Sequence, residues 1–317
     1  MWGRGFSSVL ELLLIGAAGS ALAAEPALFA SRQLTPAAEY TFGIEGPAVD
    51  PAGALYVVNY RQQGTIGKVA PGSAQSELFA ELPAGSIGVS IRFDAAGRMY
   101  LADYKRHNVF WFAPGQSEPR VYFQSDRFNQ PNDMAIARDG TIYASDPHWR
   151  RREGQVWRVA RAADETGQGA VMATERRMGT TNGIELSPDE RTLYVGESET
   201  REIWAYRIDG EKLVAPRLFT RFRDFSLDGL RTDISGRLFV TRILKGTVAV
   251  LAPDGRLERE IPLKAKEPTN LAFGGADGKT VYVTQRQGGF IETFRTDRPG
   301  REYCLQAARA GTAACRP

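Results

Sequence analysis

The sequence lacks several features that would each point to a particular protein class. Only two of its 317 residues are cysteines and only two are histidines. The net charge of +3 is too small for a nucleic-acid scaffold, and the G-x-S-x-G motif of many serine hydrolases does not occur. No long amphipathic helix pattern interrupts the chain, which argues against α/β barrels and doubly wound sheets. The composition is 43% hydrophobic and 24% charged, which indicates a globular and not a disordered protein.

The two cysteines, Cys304 and Cys315, both lie in the C-terminal tail, residues 299–317. In an oxidising compartment, two cysteines that close a short loop favour a disulfide. The alternative is a pair of free thiols. A metal site would need more ligands than these two side chains.

Long hydrophobic runs are also scarce, and the one present is at the N-terminus. Residues 1–24 combine an early Arg4, an apolar stretch and a small-residue ending at Ala21-Leu22-Ala23. This pattern predicts a signal peptide cleaved after Ala23 or Ala24, and therefore a periplasmic or secreted protein. Glu11 interrupts the apolar stretch, so an uncleaved anchor or a soluble amphipathic helix is the alternative. No later segment is apolar enough to span a membrane.

The rest of the chain, residues 25–317, contains six copies of one pattern, in which a tight turn precedes a short strand with a central aromatic residue. The aromatic residues recur 43 to 51 positions apart and are Tyr56, Tyr100, Tyr143, Tyr194, Phe239 and Tyr282. A repeat of this period indicates a repeat architecture.

Each copy contains enough short apolar runs for four strands, separated by polar turns. Six repeats of four strands predict an all-β fold, a six-bladed β-propeller with a central channel. The stretch before the first copy, FASRQLTPAAEYTF, is expected to add the strand that closes the last blade. Ring closure would protect the strand edges that an open stack exposes.

One position, five residues before the turn, is polar in five of the six copies. The six residues at this position are Glu45, Val89, Asn132, Asn182, Asp228 and Asn270. In a propeller this position begins the innermost strand, so the six side chains should ring one end of the channel. Carboxylate and amide oxygens together favour a hard cation, Ca²⁺ before Mg²⁺. The alternative is that these residues cap turns or bind channel water.

The same segments resemble the family of senescence marker protein (regucalcin), gluconolactonase and diisopropyl fluorophosphatase. The matching motifs cover the chain after residue 24 and read EGPAVDPAGALY, PNDMAIARDGTIYASD, TNGIELSPDERTLYV, LDGLRTDISGRLFV and PTNLAFGGADGKTVYVT. The resemblance implies a six-bladed propeller with a divalent metal, usually Ca²⁺, in the channel, although Zn²⁺ or Mg²⁺ is possible. It implies the ligands Glu45, Asn132, Asn182 and Asp228.

Family members hydrolyse sugar lactones or related esters, and some cleave organophosphates. The resemblance therefore implies a metal-dependent lactonase or esterase in which Asp228 is the general base or nucleophile. Asp133 would orient Asn132 from behind, and Asn270 is a further support or substrate contact. Family members often carry an arginine just before the third motif, whereas this chain has Gln130 there, so the usual sugar contact is replaced.

The loops that follow the aromatic strands should surround the mouth of the channel. Each carries at least one cation, from the set Arg61, Lys105, Arg106, Arg150 to Arg152, Arg201, Lys245 and Arg286. These charges favour an anionic small-molecule substrate, although solvated loop cations are the alternative. His148 lies in one of these loops, where it is either a proton shuttle or a plain loop residue.

A non-catalytic reading stays open, because propellers often serve as binding platforms. In that case the chain is an exported propeller that binds a small molecule or a protein and holds a structural metal. Neither reading calls for nucleic acid or a stable membrane span, and we expect a monomer or a small oligomer.

Overall fold

The computed structural model describes residues 1–2, 27–162, 166–306 and 315. The predicted signal peptide therefore falls outside the described residues, apart from its first two. The described chain is built almost entirely from strands, as the turn-and-strand repeats predict. No helix in the described ranges is long and apolar enough to cross a membrane.

Blades 1 to 3 follow one another along the chain after a short strand, β1 (Arg32–Gln33). Blade 1 consists of β2 (Tyr40–Val49), β3 (Leu55–Tyr60), β4 (Thr65–Val69) and β5 (Ser76–Glu81). Blade 2 consists of β6 (Gly88–Phe93), β7 (Met99–Asp103), β8 (Asn108–Phe112) and β9 (Arg120–Gln124). Blade 3 consists of β10 (Met134–Ile136), β11 (Ile142–His148), β12 (Glu153–Arg161) and β13 (Gly167–Val171), with a 3₁₀ turn at Trp149–Arg151.

Blades 4 to 6 repeat the arrangement. Blade 4 has five strands, β14 (Ala173–Thr174), β15 (Thr181–Leu186), β16 (Thr192–Glu197), β17 (Glu202–Asp209) and β18 (Lys212–Arg221). Blade 5 consists of β19 (Leu230–Thr232), β20 (Leu238–Arg242), β21 (Thr247–Leu251) and β22 (Leu257–Pro262). Blade 6 contains β23 (Pro268–Gly274), β24 (Thr280–Gln285) and β25 (Phe290–Arg295).

Strand β1 completes the sixth blade. It pairs antiparallel with β25, with Arg32 opposite Thr293 and Gln33 opposite Glu292. The six-bladed propeller and its closing strand are therefore confirmed. The pairings in each sheet are antiparallel, except that β14 pairs in parallel with β18 in blade 4.

In blades 1 and 2 the aromatic residue of the repeat is hydrogen-bonded to the turn that precedes it. In blade 1, Asp50 accepts a hydrogen bond from the Ala54 amide (2.9 Å) and another from the Tyr56 hydroxyl (3.1 Å). The Tyr56 ring packs in an apolar cluster formed by blades 1 and 2, against Phe93 at a centroid distance of 5.4 Å. The aromatic residue thus joins its own turn to the next blade, and the apolar core lies between blades.

The C-terminal tail closes the channel at the end opposite to the predicted ring. Helix α1 (Arg301–Leu305) begins after blade 6, and Cys304 is disulfide-bonded to Cys315, with Cα atoms 5.4 Å apart. The tail contacts all six blades through Gln306–Val49, Glu302–Arg92, Arg301–Ile136, Arg301–Glu185, Glu302–Arg231 and Tyr303–Ala276. A segment that touches every blade lies on the ring axis, so the channel opens only at its other end, which we call the mouth.

Candidate active site in the central channel

Four of the five polar residues predicted to ring the channel line one cavity. Its volume is about 470 Å³, and it is bordered by Glu45, Asn132, Asn182 and Asp228 from blades 1, 3, 4 and 5. Asn270 lies outside this set and is fully buried behind it. The structure therefore brings the four predicted ligands together.

A β-bulge at the start of the inner strand aims these side chains into the cavity. In blade 3 the Asn132 amide donates to the Ser145 carbonyl (2.8 Å), and the Ser145 amide donates to the Asp133 carbonyl (2.9 Å). Two residues thus oppose one, which is the definition of a bulge. Consecutive side chains then diverge, so Asn132 faces the cavity while Asp133 faces the channel below it. Blade 5 repeats the pattern, with Asp228 and Gly229 opposite Thr241.

Glycine follows the cavity residue in three blades because neighbouring inner strands approach closely there. Gly46 has a φ of +56°, and a Cβ atom on it would lie 2.6 Å from the Ser90 Cα. A Cβ atom on Gly229 would lie 2.1 Å from the Asn270 Oδ1. These glycines were the signal in the sequence that could have located the bulges.

Neither cavity carboxylate belongs to an ion pair among the described residues. Burial raises the pKa of Asp228 to about 8 and the charge of Asp133 adds to the effect, whereas a hydrogen bond with Asn182 and the charge of Arg286 oppose it. Burial, together with the charges of Asp228 and Asp133, also raises the pKa of Glu45, although the Gly46 amide donates to its carboxylate. Both side chains keep partial access to the cavity.

Asp133 lies in the opposite electrostatic environment. Burial alone would raise its pKa, but Arg231 (3.2 Å) and Arg92 outweigh burial and hold the pKa below its usual value. Ser90 and the Met134 amide donate to it as well, each at 2.9 Å. Asp133 is therefore an ionised, fully paired group below the cavity and not a cavity ligand.

The asparagines of the site are oriented by hydrogen bonds. Asn182 donates from Nδ2 to Ser198 Oγ (2.9 Å), and Ser198 donates on to the Leu227 carbonyl (3.0 Å), so the Asn182 Oδ1 remains for a ligand. Asn270 accepts from the Leu271 amide (2.9 Å), and a hydrogen bond from Asn270 lowers the pKa of Glu45 in part. Asn270 thus supports Glu45 from behind.

Gln130 and His148 belong to a different cavity. They line a lateral cavity of about 600 Å³ that shares Tyr104 and Trp149 with the central cavity. The backbone amide of Gln130 donates to Asp146 Oδ1 (2.7 Å), and the imidazole Nδ1 of His148 accepts from the backbone amide of Arg151 (3.3 Å). The predicted substrate contact and the predicted proton shuttle are therefore both displaced from the four ring residues.

The oxygen atoms of the four ring residues fit a hard cation if the two amide oxygens take part. No three histidine, cysteine, aspartate or glutamate side chains of the described chain cluster closely enough to hold a metal ion. A cation here would need the amide oxygens of Asn132 and Asn182 beside the two carboxylates. Four oxygen donors of this kind, with two carboxylates that form no ion pair in the described chain, suit Ca²⁺ better than a soft metal.

Sequence reasoning did not assign several residues of the cavity wall. These are Phe42, Asn59, Gln63, Ile87, Tyr104, Trp149, Ser198, Ser226, Ile243 and Thr269. Most lie in the loops and bulges at the mouth, where no periodic pattern marks them. Arg286, one of the predicted mouth cations, does reach the central cavity.

A family-specific sequence profile, described as the SMP-30/gluconolactonase/LRE-like region, matches residues 44–287. The chain belongs to this family. The match begins one residue before Glu45 and ends after Arg286, so it includes every residue of the central cavity except Phe42 and Gly43.

Curated relatives of this SMP-30/gluconolactonase/LRE-like protein include sugar lactonases. A gluconolactonase of Zymomonas mobilis is 28% identical over 222 residues, 63% of this chain and 60% of the relative. A 6-deoxy-6-sulfogluconolactonase of Pseudomonas putida is 29% identical over 174 residues, 53% of this chain and 57% of the relative. The chain thus spans less than two thirds of the length of these relatives.

A solved gluconolactonase structure from Xanthomonas campestris has the same fold. It superimposes with a TM-score of 0.69 at 25% identity, covering 84% of this chain and 89% of the other. The predicted family resemblance is therefore confirmed.

Proposed function

We propose that the protein is a divalent-metal-dependent hydrolase of a lactone or a related ester. The observation that carries the proposal is the convergence of Glu45, Asn132, Asn182 and Asp228 on one cavity, where neither carboxylate forms an ion pair with a described residue. The lactonase names of the relatives support the same reaction class.

In this proposal the four side chains hold the cation, with Ca²⁺ favoured and Zn²⁺ or Mg²⁺ as alternatives. When bound, the cation supplies Lewis-acid polarisation of the substrate carbonyl. Asp228 accepts the proton of the attacking water or attacks the carbonyl itself. Water adds to the carbonyl carbon, the ring C–O bond breaks, and the leaving oxygen takes a proton to give the hydroxy acid.

Lactone hydrolysis by purified protein, measured with added cation and with chelator, tests the proposal. We expect Asp228→Asn and Glu45→Gln each to lower kcat/KM by roughly 100-fold or more, because each removes a group next to the reacting carbonyl. Asp126→Asn is the matched control, since Asp126 is an exposed carboxylate in the loop before blade 3 and outside the cavity.

Two results would separate the proposal from its alternative. If the protein binds a cation at Glu45 and Asp228 but hydrolyses no lactone or ester, the metal is structural and the propeller is a binding module. If chelation and both substitutions leave hydrolysis unchanged, the assignment of these residues is wrong.

We also propose that the protein is exported, as residues 1–24 indicate. The Cys304–Cys315 disulfide supports an oxidising compartment. Cell fractionation followed by N-terminal sequencing tests this proposal, with a mature start at Ala24 or Glu25 expected. An intact N-terminus in the cytoplasmic fraction would contradict it.

An anionic substrate group remains part of the proposal, with the lateral cavity as its place. Lys105, His107 and Arg150 line that cavity and no carboxylate does, although the buried Asp103 and Asp146 hold its loops. For an acidic lactone, kcat/KM should fall as ionic strength rises, and Lys105→Met should weaken that dependence. A rate that is independent of salt would count against it.

A further inference from the structure

The wall between the four ring residues and the mouth is largely apolar. Phe42, Ile87, Tyr104, Trp149 and Ile243 all border the central cavity. Phe42 is 69% exposed and Trp149 is 38% exposed, although both are large hydrophobic side chains. Exposed aromatic side chains gathered at the entrance of a cavity mark a binding surface for an apolar group.

The apolar surface continues onto the rim. Leu244 follows Ile243 in the blade 5 loop and is 54% exposed, and Phe225 precedes the cavity residue Ser226 and is 48% exposed. Exposed large hydrophobic residues therefore come from blades 1, 3 and 5 and from the loop between blades 4 and 5. The rim is apolar on several sides of the mouth.

The polar side chains of the wall are already engaged within the protein. Asn59 is the clearest case, because its Nδ2 donates to the Gly43 carbonyl (2.6 Å) and the Gly88 carbonyl (3.1 Å). Its Oδ1 accepts from the Gly64 amide (3.1 Å). The Asn59 side chain thus holds two inner strands and one loop together, and it has little remaining hydrogen-bonding capacity for a ligand.

Three hydroxyls of the wall are used in the same way. Ser198 links Asn182 to a carbonyl, Ser226 donates to the Ser198 carbonyl (2.7 Å), and Thr269 donates to the Ile44 carbonyl (3.0 Å). Only Gln63 and the Tyr104 hydroxyl, of the wall residues that the structure describes, have no side-chain hydrogen bond.

Arg286 is the one cation of the wall, and it is held in place. Its Nε donates to Glu267 (3.1 Å), and its guanidinium carbon lies 4.5 Å from the centroid of the Phe42 ring. The guanidinium thus stacks on an aromatic face beside the cavity, where it can accompany a flat or apolar ligand.

This wall suits a polyhydroxylated sugar ring poorly. Each sugar hydroxyl that leaves water without a hydrogen-bond partner weakens binding by roughly tenfold. Each methylene that an apolar substituent buries strengthens binding about fourfold. Because few groups of the wall are free to bond a sugar hydroxyl, the wall favours a ligand with carbon substituents over a ligand with hydroxyl groups.

We infer that the substrate of this site is a lactone or ester that carries an alkyl or aryl substituent, which packs against Phe42 and Trp149. The inference rests on the proposed hydrolase function and names its substrate class. It differs from the sugar lactones in the names of the relatives. An anionic group in the lateral cavity is compatible with it, since Trp149 and Tyr104 border both cavities.

The test compares three lactones of one ring size on the wild-type protein with Ca²⁺: δ-valerolactone, its butyl-substituted form and glucono-1,5-lactone. We expect kcat/KM for the butyl lactone to exceed that of each of the other two by roughly 10- to 100-fold, corresponding to two or three buried methylenes. The double variant Phe42→Ala/Trp149→Ala should bring the ratio of kcat/KM for the butyl lactone to kcat/KM for δ-valerolactone close to one. Leu218→Ala is the control, because Leu218 is an exposed apolar residue on an outer strand.

A second measurement keeps this inference separate from the proposed function. Titration with δ-valerolactam and its butyl-substituted form reports binding whether or not any lactone is hydrolysed. Tighter binding of the butyl lactam, lost in the double variant, supports the apolar wall even if hydrolysis fails. Equal binding of the two lactams, or a kcat/KM for glucono-1,5-lactone that matches the butyl lactone, would overturn the inference.

Discussion

The Asp133 carboxylate at the floor of the central channel and the Glu45 and Asp228 carboxylates at the mouth lie in opposite electrostatic environments. At the floor, Asp133 lies between Arg92 and Arg231, and Glu302 of the C-terminal helix contacts both arginines (3.0 and 3.2 Å). At the mouth, Glu45 and Asp228 face a cavity, and no ion pair within the described ranges involves either of them. The pKa of Asp133 is lowered, whereas those of Glu45 and Asp228 are raised.

The same inner strands supply both groups, so burial is not the difference. A bulge of one residue sends Asn132 to the mouth and Asp133 to the floor. Asp133, which forms ion pairs with two arginines, is structural, whereas Glu45 and Asp228, which form no ion pair with a described residue, are candidates for chemistry. The contrast between the mouth and the floor can be tested at each end of the channel.

The largest expected effect is at the floor. Arg231→Met leaves Asp133 and Glu302 with one fewer buried cation and should lower the free energy of unfolding by about 3–5 kcal/mol. Urea denaturation measures this, with the exposed Arg223→Met as control, for which we expect a change within about 0.5 kcal/mol. Equal effects of the two substitutions would mean that the floor network does not hold the fold together.

Removing the disulfide should have a somewhat smaller effect on the same end. The double variant Cys304→Ser/Cys315→Ser should lose up to about 3 kcal/mol of stability, because the unfolded chain gains loop entropy. Cation affinity at the mouth should stay unchanged, since the tail does not border the central cavity. A large loss of cation affinity in a folded variant would show that the two ends are coupled.

Cation binding should stabilise the mouth by a comparable but smaller amount. At a Ca²⁺ concentration 100 times its Kd, we expect the free energy of unfolding to rise by about 2.7 kcal/mol. Glu45→Gln should remove most of the rise by weakening affinity, whereas Asp126→Asn should keep it. The same rise in Glu45→Gln and in wild type would place the cation elsewhere.

The last test concerns the pH dependence of stability in the presence of chelator. The pKa of Asp228 is raised from 3.8 to about 8, so the folded state binds the extra proton and stability falls as pH rises from about 4 to 8. Asp133 has the opposite sign, because its pKa is lowered and its contribution is lost as pH falls below the usual range. Unfolding curves of wild type and Asp228→Asn between pH 5 and 9 check the first sign, since the substitution should flatten the decline. A decline of equal slope in both proteins would assign it to other groups.

The repeat period was enough to predict the ring of blades, because turn chemistry and aromatic packing act within each copy. The alignment on the turn also placed Glu45, Asn132, Asn182, Asp228 and Asn270 at one position of the repeat, and the family resemblance selected the first four as ligands. What it missed depends on contacts between distant segments. Nothing near Arg92 or Arg231 in the sequence reveals that Asp133 and Glu302 share them.

The wall of the cavity was equally hidden from the sequence. Gln130, which replaces the usual sugar contact, and His148, a proton shuttle or a plain loop residue, both border the lateral cavity, where the Asp146 carboxylate accepts a hydrogen bond from the Gln130 backbone amide. Phe42 lies at the bulged start of β2 and Trp149 in a 3₁₀ turn, where side-chain directions depend on the loops around them. Spacing can place a residue on a strand face, whereas loop packing decides which cavity it enters.

Strand β1 also sets an order of events during folding. Ser31 and Glu292, which are hydrogen-bonded across the closing sheet, are 261 positions apart in the chain. Such a contact can form only once Glu292 is available to Ser31, and contacts of this separation form slowly. Until then β1 lacks its partner strand and the edge of the last blade stays open. The closing strand therefore makes closure of the ring depend on the pairing of two segments that are distant in the sequence.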